Sequence, residues 1–139
     1  MTMSGEAEYI SGAEMLARFI TEAAWIRIDG TVKQDAFIPP KDLELSVTRH
    51  SGLAHHDLWL IGQSVVQQIS IKRKAILCGR ADISADQAIG LNLKVKAAPL
   101  ANNANHTHIV GWPTDKPSRK IIAQQLAALA CVTMCPQTL

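Results

Sequence analysis

The chain has 139 residues, 47% of them apolar and only 4% aromatic, which suits one ordinary domain whose core is built from Ile, Leu, Val and Ala and excludes a disordered chain. Fourteen basic residues against twelve acidic ones leave a formal charge of +2, far from the imbalance of a protein that lives on nucleic acid. No stretch approaches the run of about 18 apolar residues that would span a membrane.

Met1 to Tyr9 carry Glu6 and Glu8 and no basic group, the opposite of a secretory leader. With three cysteines, an odd number that builds no disulfide framework, this predicts a cytoplasmic protein. Residues 1–10 read as a flexible segment, 11–135 as the domain and 136–139 as a frayed end.

Ser11 and Glu14 have capping-box spacing, and Leu16, Phe19, Ile20 and Ala23 follow at helical intervals, predicting a helix over 11–23. Trp25, Ile26 and Ile28 alternate with Arg27 and Asp29 before Asp29-Gly30, which predicts a strand, a tight turn and a hairpin partner within Thr31 to Ile38. Pro39 and Pro40 end that stretch. Leu43, Leu45 and Val47 alternate with Glu44, Ser46 and Thr48 in the period of a half-buried strand, at whose end stand Arg49 and His50.

Ser51 is placed to cap a helix over 52–68 with Ala54, Leu58, Ile61 and Val65 on one face, and Gly62 inside it predicts a close neighbour. Ala75 to Cys78 read as a central strand covered on both faces. Ser84 and Gln87 form a second capping box, over a short helix to Leu91. Leu93, Val95 and Ala97 alternate with Lys94 and Lys96 in a further strand, the Asn- and Pro-containing segment 98–105 is a loop, and 106–112 returns as the last strand before Pro113. Thr114 is the expected cap of a terminal helix with Ile122, Leu126 and Leu129 inward. This order predicts an α+β domain, a mainly antiparallel sheet of about five strands with two or three helices packed on it.

The stretches Asp29-Gly30, Ala36-Phe37-Ile38-Pro39, Leu45-Ser46-Val47-Thr48-Arg49, Gly79-Arg80-Ala81-Asp82 and His108-Ile109-Val110-Gly111-Trp112-Pro113 resemble those of a small family of uncharacterised bacterial proteins, of the kind carried on mobile elements or integron gene cassettes. The resemblance covers roughly residues 10 to 130. It implies no activity, cofactor or catalytic residue.

The candidate ligand-binding residues are Arg49 and His50 at one strand end, Arg80 and Asp82 near another, His106 and His108 on the last strand, and Trp112 behind it. If the strand ends meet, two arginines with histidines suit a phosphate or carboxylate; otherwise Arg80 and Asp82 form an ordinary ion pair and Trp112 fills the core. His106 and His108 share a strand face and could hold zinc with Asp57 or His50, but no ligand motif supports it. His55 and His56 point about 100 degrees apart on a helix. No metal or cofactor is therefore expected. Cys131 and Cys135, four apart on a continuing helix, share a face and could cross-link subunits or bind metal, and Cys78 reads as apolar filler.

Whether the chain is an enzyme stays open at this level. The first reading is a non-enzymatic binding or adaptor protein, a homodimer, for a small anionic ligand or a protein partner. One alternative is a small hydrolase or transferase acting on a phosphate-bearing or nucleotide substrate through Arg49, Arg80, His106 and His108. The other is a nucleic-acid-binding accessory protein using Lys72, Arg73, Lys74, Lys94 and Lys96. Few aromatics are available to stack on bases and no apolar run is long enough to span a bilayer, so neither nucleic acid nor membrane is the expected partner.

Overall fold

A computed structural model describes residues 10 to 138 of the chain. The strands are β1 (Met15–Ile20), β2 (Leu45–Arg49), β3 (Gly79–Ser84), β4 (Lys94–Ala97), β5 (His106–Val110) and β6 (Cys131–Met134). They form one sheet in the order β4-β5-β2-β1-β3-β6, with every neighbouring pair antiparallel. The helices are α1 (His55–Ser70), α2 (Ala85–Ile89) and α3 (Lys116–Leu129). This is the expected single α+β domain, with six strands rather than about five.

Strand alternation sorts the side chains to two faces. On one, Leu16, Ile20, Leu45, Val47, Ala81, Ile83 and Ile109 meet Phe37, Trp112, two alanines of α2, and Ala123 and Leu126 of α3 in the main core. On the other, Ala17 and Phe19 pack beneath Leu58, with Ile61 and Val65 of α1 alongside. Of the predicted stripe of α1, Leu58, Ile61 and Val65 face the sheet, while Ala54 precedes the helix and is exposed. Gly62 also answers its expectation, since a methyl there would lie 2.8 Å from two ring atoms of Phe19.

Residues 15–20 form a strand, not part of a helix over 11–23. Leu16, Ala17 and Ile20 are fully buried and Phe19 nearly so, because β1 is central and covered on both faces. A strand of that kind loses its alternation and can mimic helical spacing. Glu14 caps nothing; it accepts a hydrogen bond from the Ser51 backbone N–H at 2.8 Å. Ser51 does not take its predicted capping role, because α1 starts three residues later, behind Ala54.

The Asp29-Gly30 turn is present, with Gly30 at φ +88°, a conformation only glycine adopts without strain. The strands expected around it shrink to one bridge, Ile26 to Val32, flanked by 3-10 turns at Ala23–Trp25 and Gln34–Phe37. The predicted central strand at 75–78 lies four residues later, at β3, whose inward positions include Arg80 and Asp82. The Ser84–Gln87 capping box forms as expected, with both reciprocal bonds. Asp115, not Thr114, caps α3 through the Ser118 N–H at 3.0 Å.

Cys131 to Cys135 do not continue α3. Ala130 leaves the helical region at ψ 142°, and β6 pairs with β3 from Cys131 opposite Asp82 to Met134 opposite Gly79. Of the expected flexible segment 1–10, only Ile10 is among the described residues, and it is buried in the core. At the other end, residues 136–138 are exposed and 139 lies outside the description. Among the described residues no helix is long and apolar enough to cross a membrane.

Candidate functional site

The sheet opens at its middle. β1 keeps six residue pairs with β3 but only two with β2, Leu16 with Arg49 and Ala17 with Thr48, while β2 keeps four with β5. Beyond Ala17 the two strands part, and the Arg18 side chain spans the gap. Its Nε donates to the Ala36 carbonyl at 2.6 Å and its Nη1 to the Ser46 carbonyl at 3.1 Å. The guanidinium thus replaces the missing ladder, meeting a carbonyl that the parted strand no longer serves.

With α1 as a roof, this opening becomes a cleft of about 540 Å³, within the size range of small-molecule sites. Phe19, Ile61, Val65 and Ile69 line it with apolar surface, and Ser46, Thr48, Asn103 and His106 supply polar groups. Arg18 and Arg73 both face it. Burial, reinforced by the nearby Arg73 charge, pushes the Arg18 guanidinium down to about 10. Asp35 and Glu44 also border the cleft, but both are exposed. Arg73 approaches Glu22 at 4.0 Å in an exposed pair, which water screens.

The polar groups have defined hydrogen-bonding roles. Asn103 Nδ2 donates to Thr48 Oγ1 at 3.1 Å, which leaves the Thr48 hydroxyl proton free to donate. His106 Nδ1 lies 2.8 Å from the Ala98 carbonyl. A carbonyl only accepts, so Nδ1 carries the proton and Nε2 remains an acceptor. Burial holds the His106 pKa below its ordinary value, the neighbouring His108 adds to this, and the Ala98 bond opposes it.

The predicted site residues divide into separate groups. Asp82, Ala17, Thr48 and His106 are consecutive partners across four strands, so about 14 Å of sheet separates Asp82 from His106. Arg80 and Asp82 form a closed cluster under the start of α1. Arg80 Nε donates to Asp82 Oδ2 at 3.0 Å, His50 Nε2 donates to Asp82 Oδ1 at 3.0 Å, and Arg80 Nη2 donates to His55 Nδ1 at 3.0 Å. Trp59 stacks on the guanidinium at 4.7 Å, and Arg80 Nη1 is buried without a protein partner.

His106 and His108 meet edge to face at 4.8 Å, and His108 approaches Glu44 at 3.9 Å. Arg49 pairs with the core residue Leu16, and its buried Nε has no partner. Trp112 is in the core, donating to the Ile109 carbonyl at 2.9 Å. Of the seven candidates, His106 alone borders the large cleft.

Among the described residues no group of three His, Cys, Asp or Glu side chains is placed to hold an ion. Because Cys131 and Cys135 stand on extended chain, they are about 13 Å apart along it, not neighbours on a helix turn. Lys94 and Lys96 occupy the outer strand β4, whereas the Lys72 to Lys74 run leads into Ile76, which bonds the Thr21 carbonyl just past β1. Two strands lie between the two basic groups.

A helix over 11–23 would expose Arg18, whereas strand β1 turns it into the gap beside β2. The available signal was a lone cation inside the apolar run Leu16 to Ile20. No protein-family profile matches the chain, nor does any curated protein or solved structure.

Proposed function

We propose that the chain is a binding protein for a small amphipathic anion, a carboxylate or phosphate ester with an apolar body, held in the cleft between α1 and the opening of β1 from β2. The observation that carries this reading is the pair of guanidinium groups, Arg18 and Arg73, facing one cleft. The Arg73 charge adds to the cost of keeping the buried Arg18 charged, and an anion between them offsets that cost. Arginine is the side chain best suited to the task, since its planar fork matches a carboxylate or phosphate.

The remaining lining supports an oriented ligand. The apolar residues of α1 and Phe19 would cover its body. Thr48 offers a donor and His106 Nε2 an acceptor, a combination suited to a hydroxyl or amide on the ligand. The alternative of a phosphate-directed hydrolase or transferase loses its proposed machinery, since Arg80 is tied to Asp82 and His55 and lies away from His106. The nucleic-acid reading draws on basic residues that form two separate patches.

The test is a thermal-shift panel of inorganic phosphate, sugar phosphates, nucleotides and medium-chain carboxylates, followed by calorimetry on any hit. A ligand of the folded state raises the midpoint by mass action. Anions with an apolar body are expected to raise it, and Arg18→Met or Arg73→Met to abolish the rise. A panel without any shift at millimolar concentration overturns the reading.

A further inference from the structure

The pairing of β6 with β3 brings together two cysteines that are 57 positions apart in the chain. Gly79 faces Met134 in the ladder, and one step further the Cys135 N–H donates to the Cys78 carbonyl at 3.0 Å. The register thus continues to Cys135 opposite Cys78, joined by this one bond, since the Cys78 N–H donates instead to the Ile20 carbonyl of β1 at 2.9 Å. Residues opposite each other in an antiparallel ladder have Cα atoms about 5.5 Å apart or less, within the window a disulfide requires. Cys78 packs against the main core, and the backbone bond holds Cys135 beside it.

Both cysteines are free thiols at intermediate burial. The Cys78 thiol lies 3.7 Å from the Ile76 carbonyl and the Cys135 thiol 3.4 Å from the Pro136 carbonyl, so neither is fixed in a deep apolar pocket. Burial raises both thiol pKa values, and Cys135 raises that of Cys78 further. Cys131 is different. It is exposed, faces Asp82 and is separated from Cys135 by about 13 Å of extended strand.

We propose that Cys78 and Cys135 are a reversible dithiol site that accepts a low-molecular-weight disulfide as oxidant and closes into a cross-strand bond. In the first step the thiolate of one cysteine attacks the small disulfide, forming a mixed disulfide and releasing one small thiolate. In the second, the opposing cysteine, after losing its proton, attacks the protein sulfur of that mixed disulfide and displaces the second small thiolate. Two protein thiols are oxidised, one small disulfide is reduced to two thiols, and the two protons pass to the released thiolates. The second step outruns further chemistry because the nearest nucleophile is held opposite. The product staples the edge strand β6 to β3 and closes a loop of nearly half the chain, which restricts the unfolded state strongly.

The test uses the whole chain with Cys131→Ser, exposed to glutathione disulfide while folded and then quenched in acid. Both thiols are expected to disappear, with a mass lower by two hydrogen atoms, no retained glutathione, and a thermal midpoint raised by about 5 °C or more over the reduced form. Cys78→Ser and Cys135→Ser in the same background should instead retain one glutathione. Stable addition of glutathione to both cysteines, or thiols that remain free, overturns the proposal. Peptide mapping of the oxidised, unsubstituted chain guards against a folding defect in the variants: a Cys78–Cys135 cross-link supports the assignment, and a link through Cys131 or no link refutes it.

Discussion

Arg18 donates to the Ser46 carbonyl at 3.1 Å across the gap where the ladder between their strands has ended, so a side chain completes what backbone pairing leaves open. The same guanidinium faces the cleft. Its structural and ligand-binding roles can therefore be separated by substitution. Arg18→Lys keeps the charge and loses the fork, while Arg18→Met loses both. A charge-assisted hydrogen bond contributes about 1.5–3 kcal/mol, so Arg18→Met should weaken binding of an anionic ligand by about tenfold to a hundredfold. Arg18→Lys should fall between, as measured by calorimetry. Equal affinity in all three proteins would remove Arg18 from the site.

Asp82 neutralises a cation that has almost no access to water. The side chains of Arg80 and Asp82 are 4% and 10% exposed, so removing the carboxylate leaves a buried charge without compensation. Asp82→Ala is expected to cost about 3–5 kcal/mol in urea unfolding. Replacing both residues, Arg80→Met with Asp82→Leu, should recover most of that loss, because an apolar pair needs no counter-ion. A double variant as unstable as Asp82→Ala would mean that the cluster's bonds to His50 and His55 dominate.

These two arginines also mark what the sequence conceals. The strands β2, β4 and β5 are legible because one face of each is wet or polar, so Leu45 and Val47, or Lys94 and Lys96, alternate visibly. β1 is covered on both faces and takes on helical spacing. β3 is hidden for a different reason: Arg80 and Asp82 occupy inward positions, and only contacts from distant segments, His50, His55 and Trp59, make their burial tolerable. The strand character of β6 follows from an edge of β3 that no local pattern announces. The cleft was illegible for the same reason, since it arises where two strands separate, while the residues singled out at strand ends were dispersed over about 14 Å of sheet.

His106 gives the fold a sign-defined pH dependence. Its pKa in the folded chain lies below the ordinary value because burial disfavours the imidazolium. Above the unfolded pKa of about 6.5 both states are neutral and its contribution to stability is full. As pH falls below that value the unfolded chain takes up the proton first, so stability declines until the folded pKa is reached. His106→Asn keeps a donor for the Ala98 carbonyl and has nothing to titrate. Chemical unfolding followed between pH 7 and pH 5 should show a shallower decline in the variant, and an unchanged slope would assign that decline to other groups.

Gly62 sets the height of the cleft's roof. The intrinsic preference of a helix for Ala over Gly, about 1 kcal/mol, would ordinarily make Gly62→Ala stabilising. Here the new methyl would stand 2.8 Å from the Phe19 ring and 3.1 Å from Leu77, and Phe19 is itself held at 5% exposure between α1 and the sheet. Overpacking costs about 1–3 kcal/mol, which exceeds the helical gain, so the variant should be less stable. Phe19 lines the cleft, so the strain has a second readout: α1 must lift or the ring must turn, and ligand affinity changes along with stability. Adding Phe19→Leu to Gly62→Ala relieves the clash and should return unfolding stability toward the unsubstituted level. A Gly62→Ala protein that is more stable than the parent would show that α1 rides over Phe19 more freely than the 2.8 Å approach implies.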